Sequence, residues 1–99
     1  SDDEKFCFWC SDGEIEKVKE YISQRRDVNA KDKNGRSALW LAVYRNQSKI
    51  VELLLDQPNI EINPSDPNKI TPLEAGLICN SYSSVQILLE DKRIKTDLV

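Results

Sequence analysis

The stretch DKNGRSALWLAVYRNQSKIVELLL, residues 32–55, contains two short apolar stripes with a polar break between them. Within each stripe the apolar residues recur at i, i+3 and i+4, which is the spacing of one buried face of a helix. Asn46 lies at the break, and Asn is second only to Gly at the positive φ with which helices commonly end. The stretch therefore predicts a helix, a turn at Asn46 and a second helix.

The same pattern occurs three times along the chain. The second stripes are GEIEKVKEYI (13–22), NQSKIVELLL (46–55) and NSYSSVQILL (80–89). The first stripes are KFCFWCSD (5–12), ALWLAVYR (38–45) and PLEAGLIC (72–79). A helix pair of this length cannot bury its apolar side alone, and it becomes stable by stacking on its neighbours. We therefore predict an all-α solenoid of about three helix-turn-helix repeats with projecting loops. We expect one domain over 1–99, with repeats at approximately 2–31, 32–65 and 66–99.

Residues typical of turns and caps support this frame. The turn between the two helices is occupied by Gly13, Asn46 and Asn80. In the loop before the second repeat, Gly35 is expected at positive φ. Lys69 replaces it in the next loop, so we expect Asn68 to take the left-handed conformation there. Thr71 and Glu74 have the spacing of a capping box, with a proline between them at the first helical position.

The frame also predicts the core. Its members are Phe6, Cys10, Val18, Ile22, Leu39, Ala42, Val43, Val51, Leu54, Leu55, Leu73, Gly76, Leu77, Val85, Leu88 and Leu89. Ala42 and Gly76 share a position that faces the neighbouring repeat, where space is tight. Trp9 occupies that position in the first repeat, and we expect it to form a partly exposed lid over that end. At the other end we expect three exposed apolar residues, namely Ile78, Ile87 and Ile94.

The composition excludes several classes of function. The 14 basic and 17 acidic residues give a net charge of -3, which argues against a general nucleic-acid surface. No run of 18 apolar residues is present, so we expect no membrane insertion. The start of the chain shows no signal-peptide pattern, and the number of cysteines, three, is odd, so no disulfide framework is expected. These features favour a reducing compartment, so the predicted location is cytoplasmic, with the nucleus as a second possibility.

The Cys7-Phe8-Trp9-Cys10 segment has the C-x-x-C spacing of a redox dithiol or half of a zinc site. A redox pair needs an exposed thiol of low pKa, and a zinc site needs two further ligands. The chain has no histidine, and Cys10 aligns with the core position of Val43. The favoured interpretation is structural, with Cys10 in the core and Cys7 nearer the surface. No catalytic constellation, phosphate-binding loop, cofactor site or metal site is predicted, and the protein is not expected to be an enzyme.

The segments DKNGRSALWLAVYRNQSKIVELLL, ITPLEAG with VQILL, and FWCSDGEIEKVKEYISQRRDVNAKD resemble three ankyrin repeats, the first of them a capping repeat. The resemblance covers nearly the whole chain. It departs from the family pattern at Trp40 and Glu74, because a histidine that links the loops is usual at both positions. A looser loop network is therefore expected.

The ankyrin resemblance implies a module that binds another protein through its loop tips and the inner face of its first helices. The residues at the corresponding positions are Lys33, Asn34, Arg36, Trp40, Tyr44, Arg45, Pro67, Asn68, Ile70, Ile78 and Cys79, with Ser11 and Asp12 in the first repeat. We expect Tyr44, Arg45 and Trp40 to contribute most binding energy, because Tyr, Arg and Trp dominate interface energetics. Packing of the Trp40 ring against the loops is the alternative.

Two narrower interpretations remain open. The acidic N-terminus, GEIEKVKEYI and DPNKITPLEAG are similar to the myotrophin type of small ankyrin protein, which implies binding and inhibition of the actin-capping protein. Separately, the last three residues, Asp97-Leu98-Val99, have the form of a ligand for a PDZ domain.

Overall fold

A computed structural model describes residues 2–96 of the chain, and the Asp97-Leu98-Val99 segment lies outside them. The helices are α1 (Asp2–Asp12), α2 (Ile15–Ser23), α3 (Ala38–Tyr44), α4 (Ser48–Leu55), α5 (Pro72–Ile78) and α6 (Tyr82–Leu89). Over the described range the chain forms no strand beyond an isolated antiparallel bridge between Lys31 and Ser37. The predicted all-α fold is confirmed.

The helices form two layers. α1, α3 and α5 pack side by side in one layer, and α2, α4 and α6 follow the same order in the other. Each helix of the first layer also packs against the helix that follows it in the chain. The buried side chains lie between the layers and between successive pairs, so the three pairs share one continuous core. This is the stacked arrangement that the repeat predicts.

The turns between paired helices are built as the sequence indicates. Gly13, Asn46 and Asn80 all have positive φ, at 81°, 55° and 57°. The N–H that follows each of these residues reaches back to a carbonyl five residues earlier, as in Gln47 N–H to Ala42 O at 2.7 Å. This bond satisfies a carbonyl that the end of the helix would otherwise leave without a partner.

Side-chain caps fix the start of two first-layer helices. The Ser37 hydroxyl accepts the N–H of Trp40 at 3.1 Å at the start of α3. At the start of α5, the Thr71 hydroxyl accepts the N–H of Glu74, and the Glu74 carboxylate accepts the N–H of Thr71 at 3.0 Å. The predicted capping box is therefore confirmed, and it sets where α5 begins.

The two projecting loops have the same construction, although one residue differs from expectation. Gly35 has φ 76°, as predicted, and Lys69 has φ 65° at the equivalent position. The prediction that Asn68 would take the left-handed conformation is wrong. The reason is that the Asp66 carboxylate accepts the N–H groups of Asn68 and Ile70, each at 2.9 Å, and this fixes the same loop conformation as in the preceding loop.

Most predicted core positions are confirmed as buried. They are Phe6, Cys10, Val18, Leu39, Ala42, Val43, Val51, Leu54, Leu73, Gly76, Val85 and Leu88. Ile22 and Leu55 are only half-buried. Leu77 and Leu89 are exposed, Leu77 by 48%, so their assignment to the core is wrong. Residues equivalent to Leu77 are covered by the following helix pair, and within residues 2–96 no pair follows the third.

Space between successive pairs is tight where the sequence predicts it. A Cβ added to Gly76 would lie 2.7 Å from Cγ1 of Val43 and 2.7 Å from Cγ2 of Val85. Trp9, at the equivalent position of the first pair, is half-buried as expected. At the other end Ile78 is exposed, whereas Ile87 and Ile94 pack partly against the core rather than facing solvent.

Candidate partner-binding surface

The exposed sides of the first-layer helices and the tips of the two loops form a continuous surface. We call it the inner surface, and we define it by Phe8, Ser11, Leu41, Tyr44, Arg45, Ile78 and Cys79 together with the loop tips 33–36 and 67–70. Three sets of contacts join its parts. The first loop tip borders α1 and α3, Arg36 lies over the ring of Trp40, and the two loop tips approach each other at Gly35 and Pro67.

Trp40 links both loops to α3. Its indole Nε1–H donates to the carbonyl of Ile70 at 3.1 Å, and the side chain is only 5% exposed. The Arg36 guanidinium lies 5.2 Å from the indole centre, and the ring of Tyr44 stacks on it at 5.0 Å. Trp40 therefore positions its neighbours and offers a partner little surface of its own. The expectation of a looser loop network is wrong here, because the indole supplies a loop-to-helix hydrogen bond.

Tyr44 and Ile78 are exposed residues that end the adjacent helices α3 and α5. They occupy equivalent positions on α3 and α5, with 39% and 66% of their side chains exposed. The Ser81 hydroxyl donates to the carbonyl of Tyr44 at 3.3 Å and so links the end of α3 to the third pair. Arg45 and Cys79, the next residue in each case, are also exposed. The structure thus places these four predicted contact residues at the same end of two adjacent helices.

The loop residues of the predicted site differ in exposure. Lys33, Asn34, Pro67 and Asn68 are exposed, whereas Arg36 and Ile70 are half-buried. Each half-buried residue has a structural role: the Arg36 side chain lies 4.0 Å from the carboxylate of Asp32, and Ile70 supplies the carbonyl that Trp40 binds. In the first repeat Ser11 is half-buried and Asp12 is exposed.

Phe8 is a surface residue that the sequence reasoning missed. It is 63% exposed and lines a recess of about 270 Å³ with Leu41 and the loop residues Lys33 and Asn34. The sequence did contain an indication of this position. Phe8 lies three residues before Ser11, which was assigned to the surface, and residues three apart share one face of a helix. The recess extends the inner surface to the first helix.

The cysteine pair has no redox geometry. Cys7 and Cys10 are both buried, and the Cys7 thiol donates to the carbonyl of Ala30 at 3.4 Å. Burial, reinforced by the nearby carboxylate of Asp32, raises the pKa of Cys7 to about 12. Burial likewise raises the pKa of Cys10. The placement of Cys7 near the surface is wrong, and the redox interpretation is contradicted because it needs an exposed thiol of lowered pKa. The part of the chain that the structure describes has no cluster of ligands for a metal ion.

Two asparagines join successive loops in the same way. The amide of Asn29 donates to the carbonyl of Asn59 at 2.8 Å and accepts the N–H of Glu61 at 2.8 Å. One repeat later, the amide of Asn63 donates to the carbonyl of Arg93 at 2.9 Å and accepts an N–H at 3.1 Å. These bonds fix the spacing of the pairs, and therefore the spacing of the helices that form the inner surface.

The described helices are each too short or too polar to cross a membrane.

Comparison with known proteins agrees with this architecture. Residues 6–98 match the family described as ankyrin repeats in three copies. A putative ankyrin repeat protein of Rickettsia bellii is 33% identical over 84 residues, which cover 84% of each chain. Serine/threonine-protein kinase 12 of Arabidopsis thaliana is 31% identical over 84 residues, or 85% of this chain and 18% of the kinase. Rabankyrin-5 of mouse is 30% identical over 64 residues, or 65% of this chain and 6% of that protein.

The chain thus spans most of the Rickettsia protein and only a small part of the other two relatives. The match over residues 6–98 coincides with the three stacked helix pairs. Ankyrin repeats are protein-interaction modules. The chain belongs to the ankyrin-repeat family.

Proposed function

We propose that residues 1–99 form one non-catalytic binding unit, an adaptor or regulator in the cytoplasm, whose protein partner contacts the inner surface. The repeats of this unit are approximately 2–31, 32–65 and 66–99. The observation that supports the proposal most is the pair of exposed side chains Tyr44 and Ile78 at equivalent positions of adjacent helices. Tyrosine is enriched among the residues that dominate binding energy, and an exposed isoleucine beside it extends the apolar contact.

Contacts within the fold hold Tyr44 in place, and this favours binding. Its ring stacks on the buried Trp40, and its carbonyl accepts the hydroxyl of Ser81, so ring and backbone are both held. A side chain that is already ordered loses little conformational entropy on binding. Arg45 and the loop tips then surround an apolar contact with polar groups, which is the usual arrangement of a protein interface.

The test is a quantitative capture experiment with two variants. Wild-type protein would be used as bait in an extract of the source cell, and the recovered proteins would be identified by mass spectrometry and then purified. Calorimetry would compare each candidate's affinity for wild type and for Tyr44→Ala with Arg45→Ala. We expect the double variant to lose about 2 kcal/mol or more of binding free energy without a large drop in Tm.

The matched control is Tyr82→Ala with Lys49→Ala. Both residues are exposed and lie on second-layer helices, and neither belongs to the inner surface. This variant should bind as wild type does. Equal affinities for wild type and the Tyr44/Arg45 variant would refute the proposed surface.

A narrower function, inhibition of the actin-capping protein, is supported by the resemblance of the GEIEKVKEYI and DPNKITPLEAG segments to the myotrophin type. Its test is growth of actin filaments at the barbed end in the presence of capping protein. We expect the domain to restore growth and the Tyr44/Arg45 variant to restore less. No restoration at a large molar excess would exclude this function and leave the general one in place.

A further inference from the structure

Four of the 14 basic residues lie on the inner surface over α3 and α5, and none of the residues that define this surface is acidic. The cations there are Lys33, Arg36, Arg45 and Lys69. This distribution is unexpected for a chain with 17 acidic and 14 basic residues. It means that one surface of an acidic domain presents mainly positive charge.

The acidic residues near these cations neutralise them only in part. Asp32 and Asp66 directly precede the two loop tips, and each carboxylate accepts backbone N–H groups of its own loop at 2.9 Å. The Asp32 carboxylate also lies 4.0 Å from the Arg36 side chain. The side chains of Lys33, Arg45 and Lys69 have no carboxylate within ion-pair distance among residues 2–96. The other acidic residues near this surface are Glu74 of α5, whose carboxylate accepts the N–H and the hydroxyl of Thr71, and Glu4 and Asp12 of α1. The charge therefore changes sign from α3 toward α1.

The cations surround an apolar contact. Arg45 follows Tyr44 directly, and Lys33 lies in the loop that borders Leu41. Lys69 lies in the loop whose Ile70 carbonyl is bound by Trp40, the residue on which Tyr44 stacks. A ligand that matched this arrangement would have an apolar side chain with several negative charges around it.

We propose that the inner surface over α3 and α5 binds an acidic segment of a partner protein, with an apolar or aromatic side chain of that segment packed between Tyr44 and Ile78. This inference rests on the proposed function and adds the chemistry of the partner. Complementary charge would steer the segment to the surface and fix its direction, because the acidic end at α1 repels further carboxylates.

A nucleic acid is the other polyanion that such cations could attract. The net charge of -3 and the acidic end of the surface oppose a long phosphate backbone. The exposed apolar residues of α3 and α5 would also gain less from phosphates than from a peptide side chain. We therefore assign the surface to an acidic peptide.

The test is selection of peptides from a random library displayed on phage, with the purified domain as bait. Selected peptides would be synthesised and their affinities measured for wild type and for the loop variant Lys33→Glu, Arg45→Glu, Lys69→Glu. The control variant is Lys19→Glu, Lys49→Glu, Lys92→Glu, which makes the same change of charge at exposed residues away from the inner surface. Circular dichroism would verify that both variants are folded.

We expect selected peptides to be enriched in Asp and Glu around an apolar residue, and to lose at least about tenfold in affinity with the loop variant but little with the control. Added salt should weaken their binding.

Peptides that lose affinity with Tyr44→Ala but show no acidic enrichment would overturn this inference and leave the proposed function standing. Failure to select any peptide that depends on the inner surface would count against both. Tighter binding of a single-stranded oligonucleotide than of the acidic peptides would also overturn the inference.

Discussion

Asp32 and Asp66 hold the two projecting loops with the same set of hydrogen bonds. Each carboxylate accepts the N–H groups two and four residues further along, all at 2.9 Å. The backbone N–H of each aspartate also donates to the carbonyl of the residue four positions later, Arg36 or Ile70, at 2.9 Å in both loops. One residue of each loop is thereby forced to positive φ, and it is Gly35 in the first and Lys69 in the second.

Because Lys69 has a side chain at φ 65°, replacing it with glycine should stabilise the fold. The left-handed conformation costs a non-glycine residue about 1–2 kcal/mol, and glycine's extra freedom in the unfolded chain offsets part of the gain. We expect Lys69→Gly to raise the free energy of unfolding by roughly 0.5–1 kcal/mol in urea titrations. Asn68→Gly is the control and should not stabilise; a larger gain from Asn68→Gly would contradict the loop geometry.

The indole hydrogen bond of Trp40 should contribute measurably to stability. Trp40→Phe keeps an aromatic ring beside Tyr44 but leaves the Ile70 carbonyl without its donor. We expect a loss of about 1 kcal/mol or more in the free energy of unfolding. Trp9→Phe makes the same chemical change at a half-buried ring and should cost less. Similar losses from the two variants would show that ring size, rather than the bond to the loop, determines the effect.

The contact between Gly76 and Val43 predicts a strong effect of one methyl group. In Gly76→Ala the new Cβ would lie 2.7 Å from the side chains of both Val43 and Val85, so these side chains or their helices must shift. The expected cost is roughly 1–3 kcal/mol in the free energy of unfolding. Combining it with Val43→Ala should cost less than the sum of the single changes, because the second change removes one of the two close contacts. Additive losses would mean that the two residues do not compete for that space.

The buried thiol of Cys7 predicts lower stability in alkali. Folding raises its pKa from the ordinary value of 9.0 to about 12, so the folded state binds the proton more tightly. The stabilising contribution is complete below about pH 9 and is lost as the pH rises toward 12. We expect the free energy of unfolding to fall above pH 9, and to fall less steeply in Cys7→Ala. Parallel slopes for the two proteins would exclude Cys7 as a source of the pH dependence.

The repeat frame could be predicted from the sequence because periodic apolar residues, turn residues and the Thr71–Glu74 cap all indicate the same boundaries. What could not be predicted depends on neighbours in space. Leu77 has the apolar character of a core residue, yet its burial requires a following helix pair. Lys69 aligns with Gly35, but lysine itself does not favour positive φ, and the Asp66 carboxylate imposes that conformation.

The position of the candidate surface in the fold also follows partly from the repeat frame. Tyr44 and Ile78 follow from their register on the first-layer helices. The role of Trp40 depends on a hydrogen bond to a carbonyl thirty residues away, and that of Cys7 on a contact with Ala30; neither has a local signal.

The Asn29 and Asn63 amides have a consequence for hydrogen exchange. The amide proton of Lys95 is bonded to Asn63, whereas that of Glu61 is bonded to Asn29. Detachment of the third helix pair alone would expose the Lys95 amide, while the Glu61 amide would stay protected until the second pair also separated from the first. Detachment of the pairs in the order third, then second, would therefore give protection that rises from the Lys95 amide to the Glu61 amide.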